Sequence, residues 1–212
     1  MGTQETVLVV EDDSDVRTLH RLWLAEEYHV RTAADGESAV AAVDDDVAVV
    51  LLDRNLPGVS GDAVTARLRG GEYDGVIGMV TANAPDQTLP DLEIDEYLQK
   101  PVSGAELRAL VERSLSRLAM PRSVRALFRL VSLRASLTET PERTGAETNE
   151  AIRSLDDRIE TAYREAIDAG VSPKRLSELA HDGLAEGVTL PEITRKQRSR
   201  PASAIGSTGH EF

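Results

Sequence analysis

Residues 1–118 alternate between two rhythms of apolar and polar positions. Short strand-like segments recur at 6–10, 29–33, 47–52 and 76–80, with Tyr97 and Leu98 marking a fifth. Between them apolar residues step at helical spacing. Val16, Leu19, Leu22 and Trp23 do so over 15–27, and Ala39, Val40 and Val43 in a helix from Glu37. Val64 and Leu68 mark a helix that Gly70 and Gly71 end, and Leu107, Leu110, Val111, Leu115 and Leu118 line one over 105–118. The run VAVVLL at 47–52 has no polar alternation, as expected of a strand buried on both faces. Alternating strands and helices with short connections predict a parallel sheet covered on both sides through right-handed crossovers.

Past residue 118 the strand rhythm stops. Val124, Leu127, Phe128 and Val131 lie on one side of a helix that TETPERTG breaks. Residues 147–169 form a longer helix, with Ile152, Leu155, Ile159, Ala162, Tyr163 and Ala166 as a stripe fit for a helical hairpin or a coiled-coil seam. Pro173 opens a third helix ending near Ala180, and from Arg195 the chain is polar and rich in Gly and Ser, the composition of a disordered tail. The expected organisation is a domain over 1–120, a helical segment over 121–182 and a polar tail over 183–212.

Composition changes the picture in two ways. The chain has 212 residues and no cysteine, which excludes disulfides and thiolate metal sites and fits a reducing cytoplasm. No segment has the apolar length of a membrane span or the pattern of a signal peptide. The net charge of −13 is unevenly spread: residues 1–118 hold 23 acids against 10 bases, and 119–212 hold 14 of each. Lysine occurs three times against 21 arginines, and an acidic, lysine-poor surface suits a halophilic source.

Charge also gathers where the strands end. In parallel sheets chemistry collects at the carboxyl edge near the topological switch. There the predicted first strand delivers Glu11, Asp12 and Asp13, the third Asp53, the fourth Thr81 and the fifth Lys100. Each has an ordinary role when taken alone: acids before a helix cap it, and Asp53 before NLPG fits a turn. Together they differ. Crowded carboxylates raise one another's pKa unless a cation joins them, and an all-oxygen cluster with open positions suits Mg²⁺. An aspartate beside such a metal, a hydroxyl and an ammonium suits an incoming phosphoryl group.

The blocks VLVVEDD, LLDRNLPGVSG, MVTA and YLQKPV, in this order over residues 5–118, resemble the receiver domains of two-component response regulators. That resemblance implies an α/β, flavodoxin-like (βα)5 fold with sheet order 2-1-3-4-5, here followed by an all-α segment. It makes Asp53 the phosphoacceptor, served by a sensor histidine kinase. Glu11 and Asp12 become the acidic pair at Mg²⁺ with Asp53, and Asn55 gives the metal its backbone carbonyl. Thr81 binds a phosphoryl oxygen, Lys100 pairs with the phosphate, and Lys100 and Pro101 are joined by a cis peptide. Tyr97 matches the aromatic switch that turns inward with Thr81. The chain is then not an enzyme beyond accepting, and at most shedding, its own phosphate.

One departure matters: residues 82–99 are shorter than the family's usual connection, and Pro85 and Pro90 interrupt the helix expected between strands four and five. That weakens the case for dimerisation through the usual helix four, strand five and helix five face. A receiver, a helical segment of this length and a polar tail resemble the haloarchaeal regulators with a HalX domain. The output is then expected to act by protein contact, with a homodimer through the C-terminal helices. Two alternatives stay open. Arg122, Arg125, Arg129 and Arg134, or Arg195, Lys196, Arg198 and Arg200, could contact DNA phosphates, although no recognition helix is evident. A haloacid dehalogenase-type phosphatase also places an aspartate after a buried strand, but it needs an acid where this chain has Asn55.

Overall fold

Strands form at the apolar runs TVLVV, VAVVLL and VIGMVT, which are too short for helices, and at the mixed segments HVRTA and EYLQ that pair along their edges. In the computed structural model, which describes residues 4–138, 146–185, 188 and 190, they are β1 (Thr6–Val10), β2 (His29–Ala33), β3 (Val47–Leu52), β4 (Val76–Thr81) and β5 (Glu96–Gln99). All pair in parallel, in the order β2-β1-β3-β4-β5. The helices are α1 (Ser14–Leu24), α2 (Gly36–Ala42), α3 (Gly61–Gly70), α4 (Gly104–Leu118), α5 (Arg122–Thr138), α6 (Ala146–Asp168) and α7 (Pro173–Gly183). Side chains in a strand alternate between faces, so the sheet has two cores. Val7, Val9, Val49, Leu51 and Val80 pack under α1 and α4 through Leu24, Leu107, Leu110 and Val111. Leu8, Val10, Val50, Leu52, Ile77 and Met79 face the other way, against Ala39 of α2 and Val64 and Leu68 of α3.

Caps fix where helices begin. Asp13 accepts from the amides of Asp15 and Val16 and so starts α1, which assigns that acid to capping. Ser103 and Glu106 close a capping box on α4.

The connection between β4 and β5 holds only a 3₁₀ turn, Leu89–Asp91, as its prolines predict. A parallel sheet without a crossover helix there would leave one face of β4 and β5 bare. The C-terminal helices cover it. Val124, Leu127, Phe128 and Val131 of α5 and Leu155 and Ile159 of α6 belong to the same core as Ile77, Met79 and Tyr97. The stripe offered above as a dimer seam is thus spent inside one chain: Leu155 and Ile159 are almost fully covered. A seam through these residues is corrected to an intrachain contact, because the α5 face and the bare sheet already supply the apolar partner.

A second correction concerns the third C-terminal helix and the start of the tail. α7 runs beyond Ala180 to Gly183, and Leu184 is buried, with Val188 and Leu190 packed on the core. The polar tail therefore does not start at 183, since these apolar residues gain by covering the core. The tail from Arg195, with its basic cluster, lies outside the described residues.

His20 on α1 is buried, its ring 5.5 Å from that of Trp23. Burial, helped by the nearby Lys100 charge, pulls its pKa down from 6.5 to about 4. Between those values the unfolded chain binds a proton that the folded chain does not, so stability falls as pH falls through this window, by at most about 1.4 kcal/mol per unit. His20→Gln is expected to flatten that part of a urea-denaturation profile taken from pH 6.5 to 4. An equally steep profile in the variant would assign the slope to other groups.

Candidate functional site

The carboxyl edge of the sheet is assembled by backbone pairing before any side chain acts. Glu11 N–H donates to Ala33 O, Asp53 N–H to Val10 O at 3.0 Å, and Lys100 N–H to Thr81 O at 2.7 Å. Consecutive strand ends are therefore held side by side, with β1 and β3 adjacent at the switch of strand order. The loop after β3 turns back because Gly58 adopts a φ of +76°. Gly61 then approaches so closely that a Cβ would lie 2.4 Å from Asp53 O.

One ligand oxygen each from Glu11, Asp12 and Asp53 falls within 4.8 Å of the others. Glu11 and Asp53 are buried, and Asp12 is exposed. Lys100 Nζ donates to Glu11 Oε2 and Asp53 Oδ2, both at 2.6 Å. Burial raises the pKa of Glu11, and Lys100 opposes it only in part. Burial also disfavours the Lys100 ammonium, yet its bonds to Asp53 and Glu11 outweigh this and hold its pKa above the usual lysine value. Asp53 Oδ1 accepts from Asn55 N–H at 3.1 Å. Thr81 is fully buried, and its hydroxyl oxygen accepts from Asn83 N–H at 3.4 Å. Tyr97 points inward and donates its hydroxyl to Asn83 O at 3.0 Å, with burial pushing its pKa up to about 12. The Lys100–Pro101 peptide is cis.

The structure thus gathers Glu11, Asp12, Asp53 and Lys100, with Asn55 at one rim, while Thr81 and Tyr97 meet through Asn83. The response regulator receiver domain family matches residues 7–112, half of the chain. The chain belongs to this family. A Haloferax volcanii protein, provisionally named a transcriptional regulator, is 39% identical over 99% of this chain, so the match includes the C-terminal helices. The transcriptional regulatory protein TcrA of Mycobacterium tuberculosis is 44% identical over 52% of this chain. The chain spans 37% of the length of the first relative and 46% of the second. The receiver domain of the Francisella response regulator 1452 has the same fold, with a TM-score of 0.51 at 23% identity, over 54% of this chain and 98% of that one.

Three residues of this receiver escaped sequence reasoning. Arg54, next to Asp53, donates to both oxygens of Asp62 and also to Asp86 and to Thr88 Oγ1. A lone base between Asp53 and Asp62 was its only signal. Asn83 exchanges side-chain hydrogen bonds with Asn55 at 3.0 and 3.2 Å. Arg117 of α4 is buried against Glu96; its position on the apolar side of a helix was legible, its partner was not.

Proposed function

We propose that Asp53 accepts a phosphoryl group from a sensor histidine kinase, and that the C-terminal helices carry the result outward by protein contact. The observation that carries this reading is the pair of 2.6 Å bonds from Lys100 to Glu11 and Asp53 beside a third carboxylate. The donor set is hard oxygen of high negative charge and fits Mg²⁺. Glu11, Asp12 and Asp53 would hold the ion with the Asn55 carbonyl, and when bound it neutralises charge on the transferring group. The chain's residues do the rest. An Asp53 oxygen forms the new P–O bond as the donor's P–N bond breaks. Lys100 stays within reach of the phosphoryl oxygens, and Thr81 offers them its hydroxyl.

The change then has a short route to the C-terminal segment. Thr81 and Tyr97 share Asn83, and Arg54 ties the Asp53 loop to Asp86 and Thr88 before the 3₁₀ turn. At that turn Pro90 O accepts from Arg158 of α6. Residues 1–120 are then the receiver, and the helices α5 to α7, from Arg122 to Gly183, are a HalX-type output docked on it. Support for that label is the acidic, lysine-poor composition and the match to the Haloferax protein beyond the receiver.

A second reading, DNA-bound transcriptional control, is favoured by the names of the relatives. Three of the four helix arginines weigh against it, and the fourth, Arg129, is partly buried in a pocket between α3 and α5 and is not presented on an open face. Arg122 and Arg125 are paired with Asp74, and Arg134 with Asp156. A phosphatase reading is weakened because Asn55 stands where such enzymes need an acid and its amide is bonded to Asn83. Acetyl phosphate with Mg²⁺ is expected to leave one acid-labile label per chain, whereas continuous phosphate release from small esters would favour the enzyme.

Thr81→Ala is expected to leave labelling within a few-fold of the unsubstituted chain while abolishing the shift in Tyr97 and α5 amide resonances that labelling causes. Retention of that shift would remove Thr81 from the switch.

A further inference from the structure

At the opposite edge of the sheet from Asp53, where β4 begins, a pocket of about 250 Å³ opens between the end of α3 and the face of α5. Five guanidiniums line it against three carboxylates, an inversion of charge in a chain that carries −13 overall. Most of these charges are committed. Arg69 donates to Asp95 and to the carbonyls of Tyr73 and Gly75. Arg122 and Arg125 both hold Asp74, and Arg117 is paired with Glu96. Glu93, the third acid, is exposed. Arg129 stands apart: it is partly buried in the wall, burial disfavours its charge, Asp95 and Glu93 support that charge while Arg158 and Arg69 oppose it, and it has no hydrogen bond or ion pair to any described residue.

A guanidinium left without a fork partner in a partly desolvated site is costly, and its geometry matches a phosphate or carboxylate in two-point contact. We propose that this pocket is a binding site for a small phosphate dianion, held by Arg129 and shared with Arg125. A tetrahedral dianion fits better than a carboxylate because it presents oxygens to two forks at once. The volume lies below the usual range of about 300–1,000 Å³ for drug-sized ligands, which limits the guest to phosphate or a short phosphate monoester. Such an anion would join α5 to the receiver at the joint that closes the sheet. It would do so without touching Asp53, and the contact is buried enough to be screened less by salt than an exposed pair.

The test is a titration of the full chain with inorganic phosphate, and separately with glycerol phosphate, at constant KCl and with EDTA so that the acidic edge holds no metal. Amide resonances locate the guest. Saturable shifts are expected at Asp74, Gly75 and Ala126, not at Thr81, and the tighter of the two titrants identifies free or esterified phosphate as the source. Arg129→Gln is expected to weaken binding at least tenfold, and Asp74→Asn, which frees two competing guanidiniums, to tighten it severalfold. Asp53→Asn should leave it unchanged. The proposal is overturned by the absence of saturable shifts for both titrants, by shifts centred on Thr81, or by an Asp74→Asn chain that binds no better while Arg129→Gln binds as well as the unsubstituted protein.

Discussion

Asp53→Asn is expected to abolish labelling by acetyl phosphate, from one label per chain to background, with the fold intact. The effect is total because no neighbour can take over. Glu11 is buried and its carboxylate already accepts from Lys100, Asp12 is exposed at the outer side of the cluster, and Asp13 is spent on capping α1. An asparagine of the same shape keeps the Asn55 N–H contact at 3.1 Å but lacks the negative oxygen needed to attack phosphorus. Mass spectrometry of intact chains, followed by peptide mapping, reads the outcome. Full labelling of the variant at Glu11 or Asp12 would move the phosphoacceptor, and full labelling elsewhere would dissolve the proposed site.

Arg117→Met carries the largest expected cost in stability, roughly 3–5 kcal/mol, the range for removing one partner of a buried ion pair. Arg117 is 2% exposed and Glu96 4%. Its guanidinium also donates to Ser132 Oγ at 2.6 Å, to Asp95 O at 3.2 Å and to Gly183 O. One side chain therefore joins β5 to α5 and to the end of α7, and burial works against its charge, which the carboxylates of Glu96 and Asp95 support. The exposed pair Arg134–Asp156 has the same chemistry, yet about 0–1 kcal/mol is expected for it because water screens both partners. Adding Glu96→Gln to Arg117→Met should recover part of the loss by removing a buried charge left with only the longer 3.9 Å pairing to Arg113. Urea denaturation of the three chains at one salt concentration checks both statements. A loss below about 1 kcal/mol in the single variant would mean that water solvates Glu96 and that the hub is not buried in solution.

Both results bear on how the protein is divided. The sequence offers a boundary near residue 120, and the chain indeed passes from α4 to α5 there. Yet the core does not stop at it, since Leu127, Phe128 and Leu155 share a cluster with Met79 and Tyr97.

What was legible in the sequence was local or followed from topology. Strand runs, helical stripes, the Ser103 cap and the two prolines that suppress a helix before β5 depend on residues a few positions apart. The gathering of Glu11, Asp12, Asp53 and Lys100 required one further rule, that parallel strands joined by right-handed crossovers present their carboxyl ends on one edge. Pairings across the chain were not legible. Lys100 meets Glu11 across 89 positions, and Arg117 meets Gly183 across 66. The occupant of the bare sheet face was also undecided: Leu155 and Ile159 required an apolar partner, and a second chain would have satisfied them equally. Burial of apolar area has no direction of its own, so the stripe determined that it would be covered. Only the tertiary arrangement, with a missing crossover helix leaving β4 and β5 open beside it, decided by what.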